Sequence, residues 1–187
     1  MKILHLVFHP DLSTSRVNKV WAQKIADSGK VATSRDLYAD YPDFQIDVAR
    51  EQELLLSHDR FVVQFPLYWY SCPPLFKKWL DDVFTYGFAY GSTGTALNGK
   101  DFQLITSVGG GEKYHTGFDT YATIHELFRP YQMTAKLSGM NYMMPVWMYR
   151  ANDASEDTIQ QYADKWVDLI DDPLRANPDA FVKAQKH

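Results

Sequence analysis

Strand-like segments alternate with amphipathic helical segments along most of the 187-residue chain. Each strand-like segment is short and mainly apolar or β-branched, and apolar residues at helical spacing follow it. The five predicted strands are residues 2–9, residues 31–38, Arg60–Pro66, residues 101–108 and Asn141–Tyr149. Strands in such an alternation are joined by right-handed crossovers into a parallel sheet that helices cover on both faces. The pattern therefore predicts an α/β fold.

Helices are predicted where apolar residues recur every three or four positions. The broadest apolar stripe follows Pro73 and Pro74, because proline can begin a helix but cannot continue one. Its members are Leu75, Phe76, Trp79, Leu80, Val83 and Phe84. Other helices are predicted around Val17–Ile25, Val48–Leu56, Ile124–Tyr131 (divided at Pro130) and Ile159–Ile170. At this length, five strands and about five helices favour a three-layer sandwich with the strand order 2-1-3-4-5.

No composition shift, linker or internal repeat divides the chain, so residues 1–187 are read as a single domain. The segment after Pro173 is polar, and we expect residues 173–187 to form a loosely held tail. The first residues lack the features of a signal peptide, and no apolar run reaches the length of a membrane span. We therefore expect a cytoplasmic protein.

Charge and cysteine content exclude several functions. The net charge is −4, and no cluster of Lys and Arg is present to hold a nucleic-acid backbone, so nucleic-acid binding is not expected. The single cysteine, Cys72, can form neither an internal disulfide nor a thiolate cluster, and no metal site is predicted. Aromatic residues make up 15% of the chain, more than its core needs, so some are expected at a ligand site or an interface.

Ligands of this fold bind beyond the carboxyl ends of the strands, which makes the loop after the first strand informative. His9, Ser15, Arg16 and Asn18 follow that strand, where the predicted helix begins. Amide groups and the positive end of a helix favour an anion there, and a phosphate fits. The alternative is that Ser13 or Ser15 only caps the helix. Neither a dinucleotide-binding glycine motif nor a P-loop is present.

The loop after the third strand runs from Pro66 to Pro74 and contains three adjacent aromatic residues, Tyr68, Trp69 and Tyr70. Such residues can form the wall of a pocket for a flat conjugated ring. A subunit interface would use the same residues. No general base can be assigned to Cys72, so we interpret this cysteine as inert.

The loop after the fourth strand contains three successive glycines, Gly109–Gly111, which allow a close approach of backbone to ligand. Tyr114 and His115 follow. Their side chains can donate hydrogen bonds to a developing negative charge or exchange a proton near neutral pH.

At these three loops the sequence resembles the NAD(P)H:quinone oxidoreductases, a family of flavodoxin-like flavoproteins. The nearest likeness is to the short bacterial members, which include the ancillary quinone reductases of glutathione-gated potassium efflux systems. The matching segments are His9 with residues 15–18, then PLYWY and PPLFKKWLDDVFTYGFAYG, then TSVGGGEKYHTG. Together they span most of residues 3–150.

The resemblance implies a flavin site, with two-electron hydride transfer from NADH or NADPH through flavin N5 to a quinone. FMN is the expected flavin, with FAD as the alternative. The implied cofactor-binding residues are His9, Ser15, Arg16, Val17, Asn18, Pro66, Leu67, Tyr68, Trp69, Ser107, Val108, Gly109 and Gly110. Tyr114 and His115 are the implied catalytic residues that stabilise the reduced flavin, and Tyr70, Phe88 and Tyr90 are expected to contact substrate.

The resemblance also implies a homodimer with the flavin site at its interface, where Phe88 and Tyr90 reach the neighbouring pocket. An alternative function is that of a flavin-binding regulatory subunit of a potassium efflux transporter, located at the inner face of the membrane. A flavodoxin-type one-electron carrier fits less well, because the aromatic loop indicates a pocket for planar substrates.

Overall fold

The computed structural model describes residues 1–111 and 122–172. The strands within these residues are β1 (Ile3–Val7), β2 (Thr33–Asp36), β3 (Arg60–Pro66), β4 (Asp101–Ser107), β5 (Asn141–Tyr142) and β6 (Val146–Met148). The helices are α1 (Val17–Asp27), α2 (Leu37–Asp40), α3 (Val48–Ser57), α4 (Pro74–Val83), α5 (Ile124–Leu127), α6 (Arg129–Leu137) and α7 (Glu156–Leu169). A 3₁₀ turn, Leu12–Thr14, precedes α1. The predicted tail, residues 173–187, lies outside the described residues.

The strands form one parallel sheet in the order β2-β1-β3-β4-β5, which confirms the predicted order. The last position in this order, next to β4, differs from the prediction. Asn141–Tyr149 was expected to be one strand, but it forms two, because β5 pairs with the start of β4 and β6 pairs with its end. Pro145 lies between them and has no N–H group to continue the ladder. The sheet therefore has six strands in five rows.

Helices cover both faces of the sheet. On one face, Trp21 of α1 and Trp166 of α7 pack edge to face, with ring centroids 5.6 Å apart. On the other face, the core contains Leu55 of α3, Trp79 of α4 and Tyr131 of α6. This is the predicted three-layer sandwich.

The helix boundaries follow local chemistry. The carboxylate of Asp36 accepts the N–H groups of Tyr38 and Ala39 and so caps α2, which ends the second predicted strand earlier than expected. Residues 124–137 form two helices, as predicted, with the division at Phe128. Pro130 lies in the first turn of α6, where its missing N–H has no helical partner to lose.

Adjacent parallel strands place the loops after β1, β3 and β4 at one edge of the sheet. The N–H of Phe8 donates to Gln64 O, and the N–H of Leu67 donates to Ser107 O, both over 2.8 Å. These bonds extend the strand pairing to the positions where the loops begin. Within residues 1–111 and 122–172, no helix is both long enough and apolar enough to cross a bilayer.

Candidate functional site

A cleft of about 310 Å³ opens at the edge of the sheet where β1, β3 and β4 end. It is lined by His9, Ser15, Arg16, Val17, Asn18, Pro66, Tyr68, Ser107, Ala151 and Asn152. All of these except Ala151 and Asn152 are among the residues predicted to hold a cofactor. The sheet therefore brings together residues that lie up to 143 positions apart in the sequence.

The first turn of α1 forms one side of this cleft. Ser15 Oγ accepts the N–H of Asn18 over 3.0 Å, so Ser15 caps the helix, as the alternative interpretation expected. Ser13 does not cap it, because its hydroxyl donates to Asp11. The N–H groups of Arg16 and Val17 precede the helical hydrogen-bond ladder and have no partner within it. Ser15 thus has a structural role in a turn that can also receive an anion.

Arg16 supplies positive charge to the cleft, and its guanidinium is already oriented by contacts. Its N–H groups donate to Asn152 O over 3.4 Å, to Ala154 O over 2.9 Å and to the carboxylate of Glu156. These bonds occupy four of the five N–H groups of a guanidinium. The fifth, on Nη1, has no partner among the described residues. Arg16 can therefore bind an anion while it holds the loop before α7.

His9 adds a hydrogen-bond donor to the cleft. The N–H of Asp11 donates to His9 Nδ1 over 3.2 Å, so the neutral ring carries its hydrogen on Nε2. Burial lowers the pKa of His9, although Asp11 and Asp36 oppose this. The ring is thus a neutral donor in the free protein and gains charge more readily beside a bound anion.

The loop after β3 presents its aromatic side chains through a tight hairpin. Tyr68 and Ser71 exchange backbone hydrogen bonds of 3.3 and 2.9 Å, and Trp69 and Tyr70 between them have φ angles of +48° and +64°. Two successive residues with positive φ are typical of a type I′ turn, which normally uses Asn and Gly. Trp69 is 93% exposed. A strained turn therefore presents the indole ring of Trp69 to solvent, next to Tyr68, which lines the cleft.

Several predicted residues lie outside the cleft lining. Leu67 packs against the core and Val108 is buried; the N–H of Leu67 bonds to Ser107 O and that of Val108 to Met148 O. Neither amide is therefore available to a ligand. Gly109 and Gly110 follow Val108, just beyond the end of β4 at the same edge.

The predicted substrate residues Phe88 and Tyr90 lie in the connection between α4 and β4. Phe88 is half-buried against the core, whereas Tyr90 is partly exposed and meets the ring of Tyr86 edge to face. The predicted catalytic residues, Tyr114 and His115, lie outside the described residues. Their roles remain predictions.

Cys72 is half-buried next to Tyr131, and burial raises the pKa of its thiol. A raised pKa leaves less of the nucleophilic thiolate at neutral pH. The interpretation of Cys72 as inert agrees with this environment. No cluster of potential metal ligands is found in the described part of the chain.

Ala151 and Asn152 were missed by the sequence reasoning. They follow β6, and the N–H of Ala151 donates to Val108 O over 2.9 Å, which fixes this loop beside the end of β4. A Cβ atom at Gly109 would lie 3.0 Å from Asn152 Nδ2, so glycine permits the close approach. The rule on carboxyl ends was applied to the first, third and fourth strands only; applied to the last predicted strand, which ends at Tyr149, it points to these residues too.

A second cavity, of about 410 Å³, lies between the α5–α6 segment and residues 142–145. Its lining includes His125, Phe128, Arg129 and Tyr142. It is larger than the cleft, and Arg129 at the start of α6 lines it, but it lies away from the carboxyl ends of β1 and β3. The smaller cleft has the chemistry of a cofactor site.

The cleft suits a flavin with a phosphate group. The start of α1, the fifth N–H of Arg16 and the Nε2 donor of His9 match the acceptor oxygens of a phosphate. Tyr68 offers an aromatic surface, and the hydroxyl of Ser107 offers a polar contact to a ring edge. These groups would hold opposite parts of one ligand that is anionic at one end and planar at the other.

A family model and the sequences of known proteins both match this chain over most of its length. Residues 1–170 match the model of a family described as having the flavodoxin-like fold. General stress protein 14 of Bacillus subtilis is 48% identical over 93% of this chain and 99% of its own length. An uncharacterized NAD(P)H oxidoreductase of B. subtilis, YrkL, is 46% identical over 91% and 98%. The glutathione-regulated potassium-efflux system ancillary protein KefG of Erwinia tasmaniensis is 41% identical over 92% and 94%.

Solved structures agree on the fold, although their names differ. A chain named as thermophilic tryptophan halogenase (Th-Hal), from Streptomycin violaceusniger, is 43% identical with a TM-score of 0.86 over 90% of this chain and 98% of its own. General stress protein 14 of Treponema denticola, in complex with FMN, is 37% identical with a TM-score of 0.83 over the same shares. An NADPH-quinone reductase from P. pentosaceus is 31% identical with a TM-score of 0.79 over 89% and 96%. The chain belongs to the flavodoxin-like family that includes these NAD(P)H oxidoreductase and KefG relatives.

Proposed function

We propose that this protein is an FMN-dependent NAD(P)H:quinone oxidoreductase. The observation that carries the proposal is the cleft at the ends of β1, β3 and β4, which joins anion-binding groups of the α1 turn to an aromatic loop. Complexes and names among the relatives support it, because one structural neighbour binds FMN and another is named an NADPH-quinone reductase.

Different residues of the cleft hold different parts of the cofactor. His9, Arg16 and the first turn of α1 bind the phosphate, and Tyr68 and Ser107 contact the ring system. When bound, FMN supplies a ring that accepts a hydride at N5 from NAD(P)H and passes two electrons to a quinone. Reductant and acceptor use the same exposed side of the pocket in turn, so one small domain spanning residues 1–187 suffices.

FMN is preferred over FAD because the hydrogen bonds of Arg16 to Asn152, Ala154 and Glu156 connect the α1 turn to the loop before α7. An adenylate arm beyond the phosphate would have to pass or open this contact. FAD remains the alternative flavin, and NADH and NADPH are both candidate reductants. Tyr114 and His115 are proposed to stabilise the reduced flavin. Replacing both by Phe should then slow turnover while flavin stays bound.

We further propose a cytoplasmic homodimer in which Phe88 and Tyr90 contribute to the neighbouring pocket, with Tyr70 facing the substrate. Exposed aromatic residues at the ends of the loops support this arrangement, since Trp69, Tyr70, Tyr86 and Tyr90 all retain large accessible fractions. Aromatic residues are enriched at protein interfaces. A monomer with full activity would contradict the shared pocket.

The proposal is tested by following each half of the reaction separately. Flavin-free protein is reconstituted with FMN and mixed without oxygen with NADH or NADPH, and then with a quinone. We expect bleaching of the flavin absorbance by at least one reductant and its recovery on addition of quinone. A reconstituted protein that neither nicotinamide reduces would contradict the proposal.

The KefG relatives favour a second candidate function. KefG of E. tasmaniensis is named as an ancillary protein of a potassium-efflux system and matches over 94% of its length. A subunit with this role would bind a membrane transporter at its cytoplasmic side, through contacts between proteins. Co-purification with a potassium efflux transporter, together with a changed ion flux on addition of the protein, would support this function. Normal turnover with no such binding would favour the enzyme alone.

A further inference from the structure

A chain of buried polar side chains runs beneath the cleft, on the α1 face of the sheet. The Nδ1 atom of His5 lies 2.8 Å from Ser34 Oγ, and its Nε2 atom lies 3.1 Å from Gln64 Oε1. Gln64 contacts Asn18, and Asn18 contacts Ser107 over 2.8 Å. His5, Gln64, Asn18 and Ser107 are each at most 5% exposed. The chain therefore connects the edge strand β2 to a residue that lines the cleft.

One backbone carbonyl fixes the direction of every hydrogen bond in this chain. Gln64 Nε2 lies 2.8 Å from Asn18 O, and a carbonyl oxygen can only accept. The other amide atom, Gln64 Oε1, must therefore face His5 and accept from its Nε2–H. Burial lowers the pKa of His5 to about 4, so the ring is neutral near pH 7 and its Nδ1 accepts the hydroxyl hydrogen of Ser34.

The direction of the hydrogen bonds is also fixed at the end of the polar chain that faces the cleft. Gln64 Nε2 also lies 3.1 Å from Asn18 Oδ1, which must accept, so the Nδ2 group of Asn18 donates to Ser107 Oγ. Ser107 therefore accepts one hydrogen bond from below and keeps its own hydroxyl hydrogen. No acceptor for that hydrogen is found in the part of the chain that the structure describes. Because Ser107 lines the cleft, a bound ligand can accept this hydrogen.

We propose that Gln64 is a positioning residue which, through Asn18, makes Ser107 an obligatory hydrogen-bond donor to the ring of the bound flavin. This inference rests on the proposed flavin-binding function. A hydrogen bond from a neutral donor strengthens when its acceptor becomes charged. The Ser107 donor therefore favours the reduced, negatively charged flavin over the oxidised one and raises the midpoint potential of the cofactor.

The test compares midpoint potentials of bound FMN in matched variants. Gln64→Met keeps an unbranched side chain of similar size but removes the amide, and Ser107→Ala removes the donor. Each should lower the ratio of affinities for reduced and oxidised FMN about tenfold, which corresponds to about 30 mV for a two-electron couple. The double variant should show the shift once, because the two residues act through one hydrogen bond. Gln103→Met is the control, because Gln103 is a buried glutamine of β4 that takes no part in the hydrogen bonds between His5, Gln64, Asn18 and Ser107. The midpoint potential of FMN bound to this variant should equal that of the wild type.

Two results would overturn the positioning role of Gln64. One is a double variant whose shift in midpoint potential equals the sum of the two single shifts. The other is a midpoint potential that shifts in Ser107→Ala but not in Gln64→Met. A second measurement needs neither flavin nor a substitution. ¹⁵N NMR of His5 in the flavin-free protein at pH 7 should show a neutral ring with its hydrogen on Nε2, and a hydrogen on Nδ1 would overturn the assigned direction. Failure of the proposed flavin-binding function would give a different result, because the wild-type protein would then bind no flavin.

Discussion

The Nε group of Arg16 donates a hydrogen bond to Oε1 of Glu156 over 3.2 Å, which ties the loop after β1 to the start of α7. Both side chains are more than half exposed, so this ion pair contributes at most about 1 kcal/mol to stability. Its larger effect would concern the ligand, since the negative carboxylate partly neutralises the guanidinium whose fifth N–H is left for a phosphate.

Replacing Glu156 with Gln should strengthen FMN binding about two- to fivefold, the equivalent of a contact worth up to about 1 kcal/mol. The free energy of unfolding should change by less than about 1 kcal/mol. Fluorescence titration of flavin-free protein measures the first quantity, and urea denaturation measures the second. Asp157→Asn, the neighbouring exposed carboxylate, is the control and should leave FMN binding nearly unchanged. Weaker FMN binding in Glu156→Gln would mean that Glu156 positions Arg16 for the phosphate.

Trp69→Asn should stabilise the protein and Trp69→Ala should not. The backbone of Trp69 has a φ of +48°, which asparagine adopts more readily than tryptophan or alanine, and the 93% exposed indole loses no burial on replacement. Relief of part of this strain is worth about 1 kcal/mol. Thermal unfolding checks the order of stabilities. Both variants should reduce quinone turnover to a similar extent, because both remove the same ring, and equal melting temperatures would refute the strain.

The stability of the protein should fall as the pH drops from 6.5 towards 4 because of His5. Burial lowers the pKa of this histidine from 6.5 to about 4, so between these values the unfolded chain binds a proton that the folded chain excludes. At about 1.4 kcal/mol per pKa unit, the loss is on the order of 3 kcal/mol. Urea denaturation at several pH values measures it.

A variant that cannot titrate identifies the source of this dependence. His5→Gln should flatten the acid slope, whereas replacement of the exposed His125 by Gln should leave it unchanged. An equally steep slope in His5→Gln would assign the effect to other groups.

Glu51→Gln should destabilise the fold strongly. Its buried carboxylate accepts hydrogen bonds from Arg35 over 2.6 Å, Tyr41 over 2.6 Å and Trp79 over 2.8 Å. A carboxamide offers one acceptor oxygen and one donor group, so it cannot satisfy three donors, and Arg35 loses its buried counter-charge. Loss of one partner of a buried ion pair costs about 3 kcal/mol or more. Chemical denaturation would show this loss, while Glu53→Gln, on the same helix but exposed, should differ from wild type by less than about 0.5 kcal/mol.

Most of the fold follows from the sequence, because alternation of apolar runs and helical stripes specifies a doubly covered parallel sheet. The sheet in turn brings His9, Arg16, Tyr68 and Ser107 together, since the carboxyl ends of its strands share one edge. The break in the last strand was not predicted. An edge strand contributes few apolar residues to the pattern, and Pro145 alone does not show where pairing resumes.

The polar chain beneath the cleft was also missed, although its signal is present in the sequence. His5 and Gln64 each interrupt an apolar run in a predicted strand, and the prediction of a sheet covered on both faces assigned no partner to either side chain. A polar side chain in a strand that is covered on both faces must find a partner. Which partner it finds depends on register and on the depth of α1, and neither is readable from one sequence.

Calorimetric titration of the flavin-free protein with FMN is the most direct test of the flavin site. We predict one FMN per chain, and binding that is weakened about tenfold in Arg16→Ala, as expected for loss of a hydrogen bond to a charged group worth about 1.5 kcal/mol. A titration that shows binding of neither FMN nor FAD to the folded protein would contradict the proposed flavin site.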